Sequence, residues 1–213
     1  MSQYGEHEVI LKYFAGRDPA TLRFLDLGAF DGVTNSNTRP LADLGWSGVL
    51  LEPCPPAFCL LMRNYEANER MTLVNAAIVP HSPRLQLFHV NSANGDYCDQ
   101  VSTFSEDHRA KWGAHPFRPI LIHGVAWFNL LEACDTEHAS FDFVNIDVEG
   151  TNLEVFRAMP FLPEMVCVEL DPHVAVLEAV QNRYLNTQVI GGNVLGWNGR
   201  PPGAASGPSG WWL

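Results

Sequence analysis

The sequence has few basic residues and no long apolar run. Lys and Arg total 13 against 24 Asp and Glu, and the formal net charge is −11. Because an acidic chain repels phosphate backbones, we expect no nucleic-acid partner. A membrane span needs about 18 or more apolar residues, and none is expected here. The first residues also lack the basic and then apolar pattern of a signal peptide, which predicts a cytoplasmic location.

The cysteines include no Cys-x-x-Cys pair. The five are Cys54, Cys59, Cys98, Cys134 and Cys167. An odd number without metal-ligand spacing argues against a zinc finger and against a disulfide scaffold. We therefore expect reduced thiols that pack as small core residues.

Short apolar runs do alternate with helical patterns along the chain. Strands are expected at 22–27, 48–51, 71–79, 141–146 and 165–170, and helices at 6–15, 35–45, 55–68, 152–159 and 174–183. This alternation predicts an α/β fold, with a mostly parallel sheet and helices on both faces. We expect one domain over residues 1–198, whose N-terminal helix carries a lid, and a Pro/Gly-rich tail over 199–213.

A glycine turn follows the first predicted strand. Residues 24–32 read FLDLGAFDG, and Glu52 ends the next strand about 20 residues later. In open α/β sheets, ligands bind outside the carboxyl ends of the strands, and a carboxylate at this position can accept hydrogen bonds from ribose hydroxyls. The combination therefore predicts a nucleoside site that includes Asp26, Gly28, Ala29 and Asp31.

The dinucleotide fingerprint G-x-G-x-x-G is absent, because Phe30 and Val33 stand where its second and third glycines would be. A pyrophosphate needs closely approaching backbone amides. S-adenosylmethionine carries an ammonium and a sulfonium and no phosphate, so it suits the acidic turn better. An NAD-dependent sugar oxidoreductase and a non-catalytic nucleoside-binding module remain as alternatives.

Several segments together resemble the FkbM-type methyltransferases, from Ser2 to about Met165. They are SQYGE at 2–6, FLDLGAFDG at 24–32, SNT at 36–38, GWSGVLLEP at 45–53, NAA at 75–77, STF at 102–104 and FDFVNIDVEG at 141–150. The resemblance implies a class I, Rossmann-like methyltransferase fold with S-adenosylmethionine as donor. It also implies O-methylation of a hydroxyl on a sugar, glycan or small-molecule acceptor.

The expected donor site combines these motifs with the strand ends. Gln3 and Tyr4 precede the first helix and are expected to close over the cofactor, and Asn75 and Ala76 are expected beside the adenine. The complete predicted donor-binding set is Gln3, Tyr4, Asp26, Gly28, Ala29, Asp31, Asn37, Glu52, Pro53, Asn75, Ala76 and Asp147.

The candidate catalytic residues follow the fourth and fifth strands. Asp147 and His173 are candidate bases for removing the acceptor's proton. Asp147, Glu169 and Asp171 would together suit a divalent metal such as Mg²⁺ or Mn²⁺. The structural alternative is that these acids cap helices or form ion pairs.

Overall fold

The structure is a computed structural model that describes residues 2–80, 85–91, 103, 110, 117–134, 141–170 and 174–199. Its α-helices are α1 (Glu6–Tyr13), α2 (Arg39–Asp43), α3 (Pro55–Tyr65), α4 (Trp127–Ala133), α5 (Asn152–Ala158) and α6 (Val174–Gln181). The strands are β1 (Arg23–Leu27), β2 (Ser47–Leu51), β3 (Met71–Val74), β4 (Ala77–Val79), β5 (Leu85–Asn91), β6 (Phe117–Ala126), β7 (Phe143–Ile146), β8 (Met165–Glu169), β9 (Asn186–Ile190) and β10 (Asn193–Trp197).

Seven of the described strands form the main sheet, in the order β3-β2-β1-β7-β8-β10-β9. The first five of these pair in parallel, while β10 is antiparallel to both β8 and β9. This confirms the predicted α/β fold with a mostly parallel sheet. The chain leaves β1 toward β2 on one side and reaches β7 on the other, so a crevice forms at the carboxyl ends of β1 and β7.

The two faces of the sheet carry separate apolar cores, because successive side chains of a strand point to opposite faces. Phe24, Leu50 and Phe143 pack against α1, α2 and α3. Leu25, Leu51 and Val144 pack on the opposite face, against α4, α5 and α6. Helices therefore cover both faces, as predicted.

Two predicted elements differ in the structure. The single strand expected over 71–79 is two strands, since β3 joins the main sheet and β4 pairs with β6 in a smaller one. At the break, the Asn75 side chain donates a hydrogen bond to the Glu52 carbonyl. The helix expected over 35–45 is reduced to α2, because Ser36 and Thr38 hydrogen-bond within a buried loop.

The thiols also differ from the prediction. Cys54 is disulfide-bonded, whereas Cys59, Cys134 and Cys167 are free. Spacing along a sequence does not reveal which thiols meet in space, so the expectation of uniformly reduced cysteines is wrong for Cys54.

No helix in the described part of the chain combines the length and apolar composition that crossing a membrane requires. Most of the expected C-terminal tail, residues 200–213, lies outside the described residues.

Gly28 should be much less tolerant of a side chain than a glycine of similar conformation. Gly28 and Gly45 both have positive φ, but a Cβ would overlap the Asp147 carbonyl oxygen only at Gly28, and would meet nothing at Gly45. We expect Gly45→Ala to lower the free energy of unfolding by about 1–2 kcal/mol, and Gly28→Ala by about 3 kcal/mol or more. Urea denaturation measures both, and equal losses would contradict the close β1–β7 approach.

Candidate functional site

A pocket lies at the carboxyl ends of the parallel strands, on the face covered by α1–α3. Pairs such as Asp26 and Gly28, or Asn145 and Asp147, are two residues apart and so reach the same face. The pocket is lined by Gln3, Glu6, Asp26, Gly28, Ala29, Phe30, Thr34, Asn35, Ser36, Asn37, Leu51, Glu52, Pro53, Cys54, Ala76, Ala77, Ile78, Asn145, Asp147, Val148, Glu149, Glu169 and Asn193.

Most of the predicted site residues meet at this pocket. Those that line it are Gln3, Asp26, Gly28, Ala29, Asn37, Glu52, Pro53, Ala76, Asp147 and Glu169. Their binding or catalytic roles stay predictions. Asp171 and His173 lie outside the described residues.

Three predicted donor-binding residues do not line the pocket. The Asp31 carboxylate accepts hydrogen bonds from the backbone of Val33 and Thr34, and so holds its own loop. Asn75 is engaged with the carbonyl of Glu52. Tyr4 is 51% exposed, and its ring packs on Gly191, where a Cβ atom added to Gly191 would overlap the Tyr4 ring.

The N-terminal segment, residues 2–6, extends from the loop after β1 to the β9–β10 hairpin. Ser2 forms a parallel β-bridge with Asn35, and the Glu6 side chain reaches Asn193. Gln3, between these contacts, lines the pocket. This placement is compatible with the predicted lid, whose closing role stays a prediction.

Glu52 is a buried carboxylate at the end of β2. Its two oxygens accept hydrogen bonds from the backbone N–H groups of Phe30, at 2.8 Å, and Cys54, at 2.7 Å. Burial raises the pKa of Glu52 to about 7, although these two hydrogen bonds oppose the shift. A carboxylate has about four acceptor positions, so Glu52 can still accept hydrogen bonds from a ligand.

Asp26 is also buried, but its oxygens are engaged within the protein. The Thr38 hydroxyl donates to one at 2.5 Å, and the Asn145 amide donates to the other at 2.9 Å. Burial raises the pKa of Asp26, and these two hydrogen bonds lower it. Asn145 in turn accepts a hydrogen bond from Asn37 at 3.0 Å, so Asp26 anchors a polar chain at the pocket.

Three carboxylates cluster where β7 and β8 end. One oxygen each of Asp147, Glu149 and Glu169 lies within 4.8 Å of the others. Burial raises the pKa of Asp147 well above its usual range, and the charges of Glu169 and Glu149 raise it further. Asn152 joins the two strand ends, because it accepts from the Val148 N–H and donates to Glu169 at 3.0 Å.

Sequence reasoning missed several polar residues at or beside this pocket. They include Glu6, Asn145, Asn152 and Asn193. Glu6 and Asn145 lie within segments that carry the family resemblance, which was the available signal. Asn193 had none, because its role depends on a contact with Glu6, which lies 187 residues earlier in the chain.

The pocket is strongly acidic. Its carboxylates are Glu6, Asp26, Glu52, Asp147, Glu149 and Glu169, and none of its described lining residues is Lys, Arg or His. Several carboxylates in one buried space cannot all ionise without a compensating cation. This arrangement favours a positively charged ligand and disfavours a phosphate.

Residues 26–184 match the profile of the family described as the methyltransferase FkbM domain. A search of curated proteins found no match.

Solved methyltransferase structures resemble the fold. The precorrin-6y C5,15-methyltransferase of Geobacter metallireducens GS-15 is 13% identical, with a TM-score of 0.49 over 91% of this chain and 86% of that one. The methyltransferase FkbM of Methylobacillus flagellatus KT is 15% identical, with a TM-score of 0.46 over 85% of this chain. The match covers 48% of the Methylobacillus chain, so this chain corresponds to about half of that protein.

Glu52 should make stability depend on pH. Its carboxyl ionises near 4.5 in the unfolded chain and near 7 in the fold, so ionisation costs the folded state more. The free energy of unfolding should therefore fall as the pH rises through this window, by on the order of 3 kcal/mol from Glu52 alone.

Glu52→Gln lacks this titration, so its stability should fall less between pH 5 and pH 7.5. Urea denaturation at both pH values gives the change in the free energy of unfolding for each protein. Comparing these changes separates the titration of Glu52 from any pH-independent loss of stability caused by the substitution. Identical slopes for both proteins would contradict the raised pKa of Glu52.

Proposed function

The chain belongs to the FkbM methyltransferase family, and from this premise we propose that its pocket binds S-adenosylmethionine and serves methyl transfer to a hydroxyl of a sugar, glycan or small-molecule acceptor. Family membership implies the donor. The acceptor class rests on the family resemblance and on the acidic character of the chain.

The charge of the pocket is the observation that carries the proposal. S-adenosylmethionine brings a sulfonium and an ammonium to a space with six carboxylates and no cation among the described lining residues. The pyrophosphate of NAD would add negative charge to the same space, at a Coulombic cost that burial increases. The charge thus favours methyl transfer over hydride transfer.

The β2 side of the pocket fits a nucleoside. Glu52 can accept hydrogen bonds from ribose hydroxyls. Next to it, Ala76, Ala77 and Ile78 supply a small apolar wall against which an adenine base can pack. This placement directs the methionine part of the donor toward β7 and β8.

Asp147 is the proposed base. In the reaction, the acceptor oxygen bonds to the methyl carbon, the carbon–sulfur bond breaks, and its electron pair stays on sulfur. The hydroxyl proton passes to Asp147, whose raised pKa increases its affinity for a proton. Glu169 adds to this affinity, because its negative charge and a hydrogen bond to the protonated form both raise the pKa of Asp147. The predicted role of His173 stays a prediction.

A divalent cation such as Mg²⁺ or Mn²⁺ is the second route to hydroxyl activation. Asp147, Glu149 and Glu169 offer the hard oxygen ligands that these ions prefer. Of the predicted metal ligands, Asp147 and Glu169 belong to this cluster, and the assignment of Asp171, which lies outside the described residues, stays a prediction. When bound, the cation would lower the pKa of an acceptor hydroxyl. Chelation followed by metal add-back separates this route from simple base catalysis.

The acidic character of the whole chain supports a small or glycan acceptor over a nucleic acid. With a net charge of −11, long-range electrostatics oppose the approach of a phosphate backbone. The cytoplasmic location and the domain limits at residues 1–198 stay predictions.

A screen of hydroxylated acceptors with isotopically labelled S-adenosylmethionine tests the proposal. We expect label in a sugar or small-molecule product, located on oxygen by mass spectrometry. Asp147→Asn should keep donor binding and lower turnover about 100-fold or more, because it loses the proton acceptor. Asp43→Asn is the matched control, since Asp43 pairs with Arg39 at the surface.

Full turnover by Asp147→Asn would contradict the base assignment. Donor binding without transfer to any acceptor would instead favour a non-catalytic nucleoside-binding module.

A further inference from the structure

Glu6 is a buried carboxylate that contributes to the pocket from the first residue of α1. Its side chain is 0% exposed and lines the cavity. One oxygen accepts from Asn193 Nδ2 at 2.6 Å, and the other accepts from the Tyr4 N–H at 3.0 Å. Both donors are neutral, and no described Lys, Arg or His forms an ion pair with Glu6.

Asn37 places a buried side-chain oxygen without a hydrogen-bond donor in the same pocket. It is 8% exposed, and its Oδ1 has no hydrogen-bond donor among the described residues. The orientation of this amide follows from its neighbours. Asn145 donates to Asp26 and must therefore accept from Asn37, so Asn37 Nδ2 points to Asn145 and Oδ1 points away. A buried acceptor without a donor is costly, so this oxygen needs an N–H or O–H from elsewhere.

Glu6 and Asn37 both line the pocket and are both tied to its β8 side. Asn37 Nδ2 lies 3.6 Å from the Cys167 sulfur in β8. Glu6 accepts its hydrogen bond from Asn193, which is paired with Glu169 at the end of β8. The bridge between Ser2 and Asn35 holds the two chain segments side by side.

We propose that Glu6 and the free side-chain oxygen of Asn37 receive the α-ammonium group of the donor. The assignment rests on the proposed function. An ammonium supplies three N–H donors and the positive charge that Glu6 lacks. The other polar parts of the donor do not fit this place. The sulfonium donates no hydrogen bond. The ribose hydroxyls are assigned to Glu52, which follows β2 and is separated from β8 by β1 and β7. The two ends of an extended donor therefore match the two ends of the pocket.

Asn193 is then a positioning residue. Its amide fixes one Glu6 oxygen, and its place opposite Glu169 in the β8–β10 pairing sets where that amide lies. The N-terminal segment thereby supplies a charged ligand for the donor through Glu6, in addition to the covering role expected of Gln3 and Tyr4.

The test compares two nucleosides that differ in the aminoacyl group. S-adenosylhomocysteine has an ammonium and 5′-methylthioadenosine has none, and calorimetry gives both dissociation constants. Glu6→Gln should weaken S-adenosylhomocysteine binding about 10-fold or more, because a charge-assisted hydrogen bond is lost. Binding of 5′-methylthioadenosine should change less than about threefold. Glu8→Gln is the matched control, with the same charge change at an exposed position of α1.

A second arm uses the unmodified protein and so does not depend on the folding of a variant. S-adenosylhomocysteine without its amino group should bind about 10-fold more weakly than the parent, or worse. Equal affinity of these two ligands, or equal weakening of both nucleosides by Glu6→Gln, would overturn the inference. Failure of the unmodified protein to bind any of the nucleosides would overturn the proposed function itself.

Discussion

The strands β2, β1, β7 and β8 run parallel and end at one edge of the sheet. Because successive side chains of a strand point to opposite faces, the register of each strand determines which side chains meet at that edge. Four carboxylates lie within one residue of these strand ends and project to the face that carries Phe24, Leu50, Phe143 and Cys167. They are Asp26, Glu52, Asp147 and Glu169. A shift of one residue in any strand would send its carboxylate to the opposite face. The close approach of Gly28 to the Asp147 carbonyl keeps β1 and β7 in the alignment that brings these groups together.

This alignment concentrates negative charge in one partly buried pocket, and that charge determines how its carboxyls ionise. Burial raises the pKa values of Asp26 and Asp147 and brings that of Glu52 to about 7, so Glu52 is partly protonated in the free protein near neutral pH. A cationic donor can replace those protons. In the proposed reaction, sulfur loses its positive charge on methyl transfer, so the electrostatic attraction weakens when the product is formed.

The parts of the site that sequence reasoning predicted depend on local signals. Gly28 and Glu52 stand at ends of apolar runs, and Asp147 follows another, so both the strand ends and their ligand-facing residues could be inferred. Asp31 follows the same turn, but its carboxylate hydrogen-bonds to its own loop, and only the path of the backbone shows this.

The parts that were missed depend on contacts between distant segments. Glu6 becomes a pocket residue only because Asn193, 187 residues later, lies beside it. The break between β3 and β4 depends on Asn75 reaching the Glu52 carbonyl, and the disulfide at Cys54 likewise has no local signature. Periodicity places residues on faces of the sheet, but it does not determine which loops and termini close over its edge.

We infer that the pocket is built for a cationic nucleoside. Calorimetric titration near pH 6.5 with S-adenosylmethionine and with NAD, each in two buffers of different ionisation enthalpy, is the decisive measurement. We expect S-adenosylmethionine to bind and to release protons from the buried carboxyls, and NAD to bind at least about 100-fold more weakly. Comparable binding of NAD, or binding of S-adenosylmethionine with no proton release, would contradict it.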